Sequence, residues 1–449
     1  MTRMIRLSVA AAALSCTMAT PVFAQDVTVS ADELAAMRAQ LKAMNDRIDQ
    51  LEGELAAAKQ TNEAQDVTIA AATEAAQAKP EPAPAEELSK SDGWSFKPRG
   101  RLMFDAGFTS VPGSTGRSDG FGNEVRRARL GASGDIPGGF GYKFELDFAG
   151  NEVEAADAYL SYSDGPIEVI VGHQNNFQSL EELTSSLHTT FIERAAFTDA
   201  FGFERRIGAS VTYNKGAVLA QAGVFTDNFA DTETNNRGAD ARLVFMPKMG
   251  DTQLHFGGSI HYNDLAEDGA TVRYRQRPLV HFTSERFINT GNLDADSEFG
   301  LGLEAAAVAG PFHAAAEGYW QTVTMPGAME DPTFFGGYAE AGIFLTGGDT
   351  RGYKGGKFDR SKPANPLGKG GLGSLQFNLR YDYLDLNDAG VLGGTQNGYL
   401  ASLIWKPNAY VLFGVNYGML EYDNAVYPTA DGDTSYTVDA FGVRAQVDF

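Results

Sequence analysis

The sequence predicts an all-β fold: a transmembrane antiparallel β-barrel of about 16 strands, preceded by a short α-helical coiled coil. Three observations predict it. From Trp94 to the C-terminal Phe449, apolar and polar residues alternate with a period of two. The connections between the alternating stretches are tight and long in turn. The chain opens on an export signal, so the apolar face of those stretches would meet an outer membrane rather than a soluble core.

Composition narrows the alternatives. The 449 residues include 36 Lys+Arg against 58 Asp+Glu, a net charge of -22, which excludes a general nucleic-acid binder because phosphate backbones demand a basic surface. Only one stretch, near the N-terminus, is apolar and uncharged, so no bundle of membrane-spanning helices can be built. The 51 Gly, 29 Phe and 17 Tyr suit tight turns and aromatic girdles.

Residues 1–24 read as a signal peptide. Arg3 and Arg6 give a positive start, Leu7 to Met18 a short apolar run, and Val22 and Ala24 the small residues before a cut at Gln25. Cys16 is the one cysteine, and cleavage removes it together with any disulfide, thiolate metal ligand or thiol nucleophile.

Residues 25–69 read as a periplasmic coiled coil. Leu34, Leu41, Ile48 and Leu55 recur every seven residues, and Met37, Met44, Leu51 and Ala58 follow each by three. A stripe this narrow has no core of its own, so the helix needs partner helices, and self-association is favoured over packing on the barrel. Residues 70–92 read as an Ala/Pro/Glu-rich linker, where Pro80, Pro82 and Pro84 favour an extended, semi-rigid chain.

Residues 93–449 carry the barrel. Trp94, Phe96, Leu102, Phe104 and Phe108 fall on one face, Arg99, Arg101, Met103 and Asp105 on the other. Sixteen stretches are expected as strands: 94–108, 124–134, 139–149, 155–162, 167–173, 205–213, 217–225, 238–246, 252–262, 298–309, 312–323, 333–346, 373–385, 397–405, 410–422 and 436–449. Turns such as Ile136-Pro137-Gly138, Asp164-Gly165-Pro166 and Asn214-Lys215-Gly216 reverse the chain quickly. The connection from about Gly347 to Leu372 is long, yet parity puts it on the tight-turn side. It holds Arg351, Lys354, Lys357, Arg360, Lys362 and Lys369 against Asp349 and Asp359, six cations to two anions, a basic patch suited to meeting anions.

Other constellations carry less. Gly368-x-Gly370-x-x-Gly373 spells a dinucleotide fingerprint but opens a strand, with no βαβ unit around it. His255 and His261 lie about 20 Å apart along one strand at 3.4 Å per residue, too far to share a metal. Ser185, Ser186 and His188, with Asp199, invite a hydrolase reading, which a chance Ser-His pair in a loop explains as well. No enzyme activity, cofactor or metal is expected.

Several longer runs resemble the phosphate-selective porin O/P family of outer-membrane channels: Glu124-Val125-Arg126-Arg127-Ala128-Arg129-Leu130-Gly131; Ser179 to Ser186 continuing to Phe191-Ile192-Glu193-Arg194; Arg205-Arg206-Ile207-Gly208; Arg351 to Gly356 leading to Asn365-Pro366-Leu367; and Arg380-Tyr381 to Leu386-Asn387. The resemblance covers essentially the whole barrel. It implies a sixteen-stranded homotrimer, a third long loop folded into the lumen at about Gln174 to Glu204, and a periplasmic turn folded in from below. Phe449 looks like the assembly signal of outer-membrane barrels.

The function so implied is passive diffusion of small solutes, anions such as phosphate first among them, through a water-filled barrel. Arg99, Arg101, Arg127 and Arg129 are the candidate anion pathway, joined by Arg206, Lys354, Lys357, Arg360 and Arg380. Fixed guanidinium groups at successive depths would pass an anion along. The competing reading pairs these arginines with Glu145, Asp147 or Asp157 across the wall. Glu182, Ser185 and Ser186 belong to the expected constriction loop. Glu182 is a departure, since phosphate-selective members carry Lys there, and from residue 91 onward the chain has 28 basic and 45 acidic residues. The solute therefore stays open between phosphate, another anion and a small organic molecule. Outer-membrane lipid and a second and third copy of the chain are the expected partners. The alternative function is structural, the coiled coil tethering or spacing the envelope by a contact with peptidoglycan.

Overall fold

The computed structural model describes residues 93–150, 152–230, 235–266 and 269–449, together with Lys42. Apart from Lys42, the expected signal peptide, coiled coil and linker lie outside the described residues.

Sixteen long strands follow one another: β1 (Lys97–Ser110), β2 (Gly120–Ile136), β3 (Phe140–Asp147), β4 (Glu154–Asp164), β5 (Ile167–Asn175), β6 (Arg205–Lys215), β7 (Val218–Phe225), β8 (Arg237–Phe245), β9 (Thr252–Asp264), β10 (Ser297–Ala309), β11 (Phe312–Thr324), β12 (Thr333–Phe344), β13 (Ser374–Asp388), β14 (Val391–Lys406), β15 (Val411–Asp423) and β16 (Tyr436–Asp448). Each pairs antiparallel with the next, and β16 returns to β1, so the sheet closes and leaves no edge.

Every stretch expected from alternation overlaps one of these strands. The largest boundary errors have a local cause. β14 starts at Val391 rather than 397 and β2 at Gly120 rather than 124. Both missed segments are interrupted by glycines, Gly393 and Gly394 in one, Gly120 and Gly122 in the other, which carry no side chain to mark a face.

The faces are inverted relative to a soluble protein. On β1, Leu102, Phe104 and Phe108 are about half exposed, while Met103 and Asp105 between them are buried. The closing seam is sealed from inside. Arg444 on β16 stands opposite Asp105 on β1 and donates two hydrogen bonds of 2.7 Å to its carboxylate. At the end of the chain Phe449 and Gly100 exchange backbone hydrogen bonds of 3.1 Å. A Cβ at Gly100 would lie 2.2 Å from the tip of the Phe449 ring, so a larger residue here would push that ring aside.

Antiparallel order sorts the connections onto two rims. One rim carries 111–119, 148–153, 176–204, 226–236, 265–296, 325–332, 389–390 and 424–435. The other carries 137–139, 165–166, 216–217, 246–251, 310–311, 345–373 and 407–410. Except for 389–390, the tight turns lie on the second rim, where 345–373 is the long exception anticipated from parity.

Candidate functional site

The segment 176–204 is tied to inward-facing side chains all around the ring. Its two short helices, α1 (Leu180–Leu183) and α2 (Ala196–Ala200), begin on carboxylates of the wall. Glu317 of β11 accepts hydrogen bonds from the Leu180 and Glu181 amides at 2.9 and 2.7 Å and from the Ser179 hydroxyl at 2.9 Å. Asp382 of β13 accepts from the Ala196 amide at 3.0 Å. Open amides at a helix start attract negative charge, so these wall carboxylates add to the Ser179 hydroxyl, which accepts from the Glu182 amide at 3.2 Å. Further bonds reach β1 (Arg101 to Ser186, 3.1 Å), β9 (Ser259 to the Gln178 carbonyl, 2.7 Å), β12 (Thr190 to Glu340, 2.8 Å), β15 (Asn416 from the Ile192 amide, 3.1 Å) and β16 (Gln446 to the Leu187 carbonyl, 3.3 Å).

Beside this segment lies a cavity of about 640 Å³. Arg126, Arg127 and Arg129 of β2 line one wall, and Glu182, Glu193 and Arg194 of the segment line another. Three arginines within four residues cannot share a face under strict alternation. A β-bulge resolves this: Met103 pairs with Arg127 and Phe104 with Val125, leaving Arg126 as the extra residue. Arg126 and Arg127 therefore both turn inward, between the outward Val125 and Leu130.

Most of the cations are paired. Arg126 binds Glu193 through two bonds, 2.6 and 3.0 Å. Arg129 binds Asp147 at 2.6 Å and Glu145 at 3.2 Å, and Arg101 binds Glu145 at 3.2 Å. Arg205 and Lys143 converge on Asp157, the first at 2.8 Å. The competing reading of wall pairs thus holds for Arg101 and Arg129. Arg127 differs: it is 8% exposed, its one hydrogen bond is a long 3.9 Å contact to the Met103 sulfur, and among the described residues no carboxylate lies within 4 Å of it.

The remaining expected residues are spread out. Arg99 is exposed, with a 3.5 Å bond to Ser133, and Arg206 donates to Asn263 at 2.7 Å. Arg380 is sealed off between Glu181 and Glu340, at 2.7 and 2.8 Å, with its side chain wholly buried, so a solute in the bore would not touch it. Lys354, Lys357 and Arg360 belong to the connection 345–373, where Gly352–Lys354 and Lys357–Asp359 form a small hairpin. Inward residues of several strands hold this hairpin. Arg242 of β8 donates to the Gly356 carbonyl at 2.8 Å, the Tyr353 hydroxyl lies 2.6 Å from His255 of β9, and Arg351 reaches Glu340 at 2.7 Å. Arg360 pairs with Asp448 of β16.

Ser185 accepts from the Leu187 amide at 3.4 Å. His188 lies 3.6 Å from Asp359, while Asp199 faces Arg277 at 3.5 Å, so the Ser-His-Asp arrangement is not assembled. Burial, with Lys406 and Arg360 nearby, lowers the His188 pKa to about 4, and its ring is neutral at neutral pH.

The two acids of the segment are tuned oppositely. Burial pushes the Glu182 carboxyl above the ordinary glutamate range, and Arg194, 3.4 Å away, only partly offsets this. Burial also raises Glu193, but the charge and hydrogen bonds of Arg126 outweigh it and hold Glu193 well below that range.

The family model for the phosphate-selective porins O and P matches residues 96–449, from the first strand to the last residue. The chain belongs to the phosphate-selective porin O and P family. A protein of Caulobacter vibrioides described as uncharacterized is 44% identical to this porin over 483 residues, covering 100% of this chain and 96% of the other. Among solved structures, an anion-selective porin from Comamonas acidovorans superposes with a TM-score of 0.52 at 13% identity, covering 79% of this porin and 100% of that chain. OmpT of Vibrio cholerae gives a TM-score of 0.51 at 10% identity, covering 81% and 100%. At such identities the likeness speaks for the barrel fold. Family and fold together make the protein an outer-membrane channel of the porin type.

Two parts of the porin were not visible as site residues. Arg126 was not among the expected residues: strict alternation puts it on the face opposite Arg127, and the bulge has no signature in the alternation. The connection 265–296 went unremarked, yet Tyr274, Val280, Phe287 and Ile288 are buried and Arg277, Leu279 and His281 line the cavity. Its scattered apolar residues, Leu279, Val280, Phe282, Phe287 and Ile288 among them, were the available signal in so long a connection.

Proposed function

We propose that this porin carries small anions, phosphate among them, by passive diffusion through a bore narrowed by the 176–204 loop, and that it works as a homotrimer. Arg127 carries the reading. It is a guanidinium lining the cavity, on the inward face that alternation gives it, with no carboxylate within 4 Å among the described residues. Its neighbours Arg126 and Arg129 are held in ion pairs, so its charge is the one of the three left for a solute to meet at that depth. The loop's bonds to strands on every side of the ring support the narrowing. The hairpin of 345–373, held to inward residues from the tight-turn rim, would extend a basic surface along the exit path through Lys354 and Lys357.

The decisive measurement is the reversal potential of the purified porin in a planar bilayer under a KCl gradient. Wild type should show anion preference, and Arg127→Ala should move the reversal potential toward the cation side. An unmoved potential means that anions do not pass Arg127.

Acidity should add to this preference. Because the Glu182 pKa is raised, its carboxylate takes up a proton as pH falls while still above the ordinary glutamate range, and Glu193, held low, stays ionised. The local charge then becomes more positive, so anion preference should rise on mild acidification. Glu182→Gln should flatten that rise in the same reversal-potential assay.

A further inference from the structure

The cavity is larger than an inorganic anion needs, and its largely polar, charged lining is broken by an apolar part. At about 640 Å³ it falls within the range of pockets that hold organic molecules. Besides the arginines, its lining includes Val153, Phe203, Phe229 and Leu279. Phe229 is 57% exposed, an aromatic surface with nothing packed on most of it. Its ring stands edge-on to His173 of β5, with the centroids 5.7 Å apart. His173 lines the same cavity and is 2% exposed. Arg127 and His173 thus front one chamber that also has an apolar part.

We propose that the chamber is a binding site for organic anions with a single oxyanion head and an uncharged aromatic or apolar body. Arg127 takes the head, His173 supplies a further hydrogen bond, and the body lies against Phe229, Phe203 and Leu279. The carboxylates of Glu152 and Glu154 also line the chamber and disfavour a second negative charge on the body. This rests on the anion reading of Arg127 above and adds the class of solute. Inorganic phosphate would use the head subsite and leave the apolar side wet, whereas an aromatic anion fills both.

The test is block of chloride current through the full-length porin in planar bilayers by benzoate against acetate, and by phenyl phosphate against inorganic phosphate. Each aromatic anion should half-block at a concentration at least tenfold below its counterpart. Phe229→Ala should draw the two concentrations of each pair together, and Arg127→Ala should raise all four. Equal half-blocking concentrations within both pairs in the wild type would overturn the organic-anion site while leaving anion passage standing. If instead none of the four blocks, the site fails, and a reversal potential insensitive to Arg127→Ala would show that the underlying anion reading fails with it. An advantage for benzoate without one for phenyl phosphate would fix the head as a carboxylate, still within the class.

Discussion

Replacing Arg380 by methionine should detach the 176–204 loop from the barrel wall and raise the single-channel conductance. Arg380 bonds Glu181 of α1 at 2.7 Å and Glu340 of β12 at 2.8 Å, with no part of its side chain exposed. Its guanidinium also lies 4.5 Å over the Phe191 ring and 4.8 Å over that of Tyr338, so one cation fastens two places on the loop. Glu340 keeps a second cation, Arg351 at 2.7 Å, whereas Glu181 has no other ion pair among the described residues. The variant leaves Glu181 as a buried, uncompensated carboxylate, a defect of about 3–5 kcal/mol. The strand ladders do not involve the Arg380 side chain, so the penalty falls on the loop and the barrel should still fold. Larger and noisier openings are expected, with new protease cleavage inside 176–204. Adding Glu181→Met removes the stranded charge and should restore most of the closed behaviour, because replacing both partners of a buried pair by apolar groups is often neutral. Conductance and protease resistance equal to wild type would rule out this clamp.

The clamp also shows where sequence reasoning stopped. Alternation placed Arg380 on the lumenal face, and the face is right. It could not tell that Glu181, 199 positions away, would close over the guanidinium. The strands were legible because a closed barrel in a membrane forces every second side chain outward, and Leu, Phe, Tyr and Val then mark the lipid face in any register. The long turn at 345–373 was legible from parity, since each tight turn fixes the rim of the next. Site detail was not legible, for two physical reasons. A bulge shifts the phase of the alternation with no composition cue, which hid Arg126. And the charge an arginine shows to a solute depends on which carboxylate reaches it: Arg101, Arg127 and Arg129 read alike along the chain, but Glu145 and Asp147 claim two of them and leave the third.

Glu182→Lys should convert a loop that repels phosphate into one that retains it. The carboxylate lines the cavity opposite β2, beside Arg194. Arg194 does not depend on it for position, because it also donates to the carbonyls of Glu181, Glu182 and Thr184 at 3.0, 3.1 and 2.9 Å. The loop backbone should therefore keep its path when the acid is lost. The substitution changes the local charge by two units. For an anion about 7 Å away, each unit is worth about 2 kcal/mol at an effective dielectric near 20, and about a quarter of that where water fills the bore. Between these limits, and with salt screening, a gain of about 1–2 kcal/mol is expected, which is about tenfold or more in affinity. Phosphate should then half-block chloride current at about one tenth of the wild-type concentration, and the gain should shrink as ionic strength rises. Channels have an upper limit to useful affinity, because an anion held too tightly leaves slowly. The same variant should accordingly pass less phosphate at saturation even as it binds phosphate better. A weaker block than wild type would mean that Glu182 does not face the solute path, and would remove the loop from the selectivity mechanism.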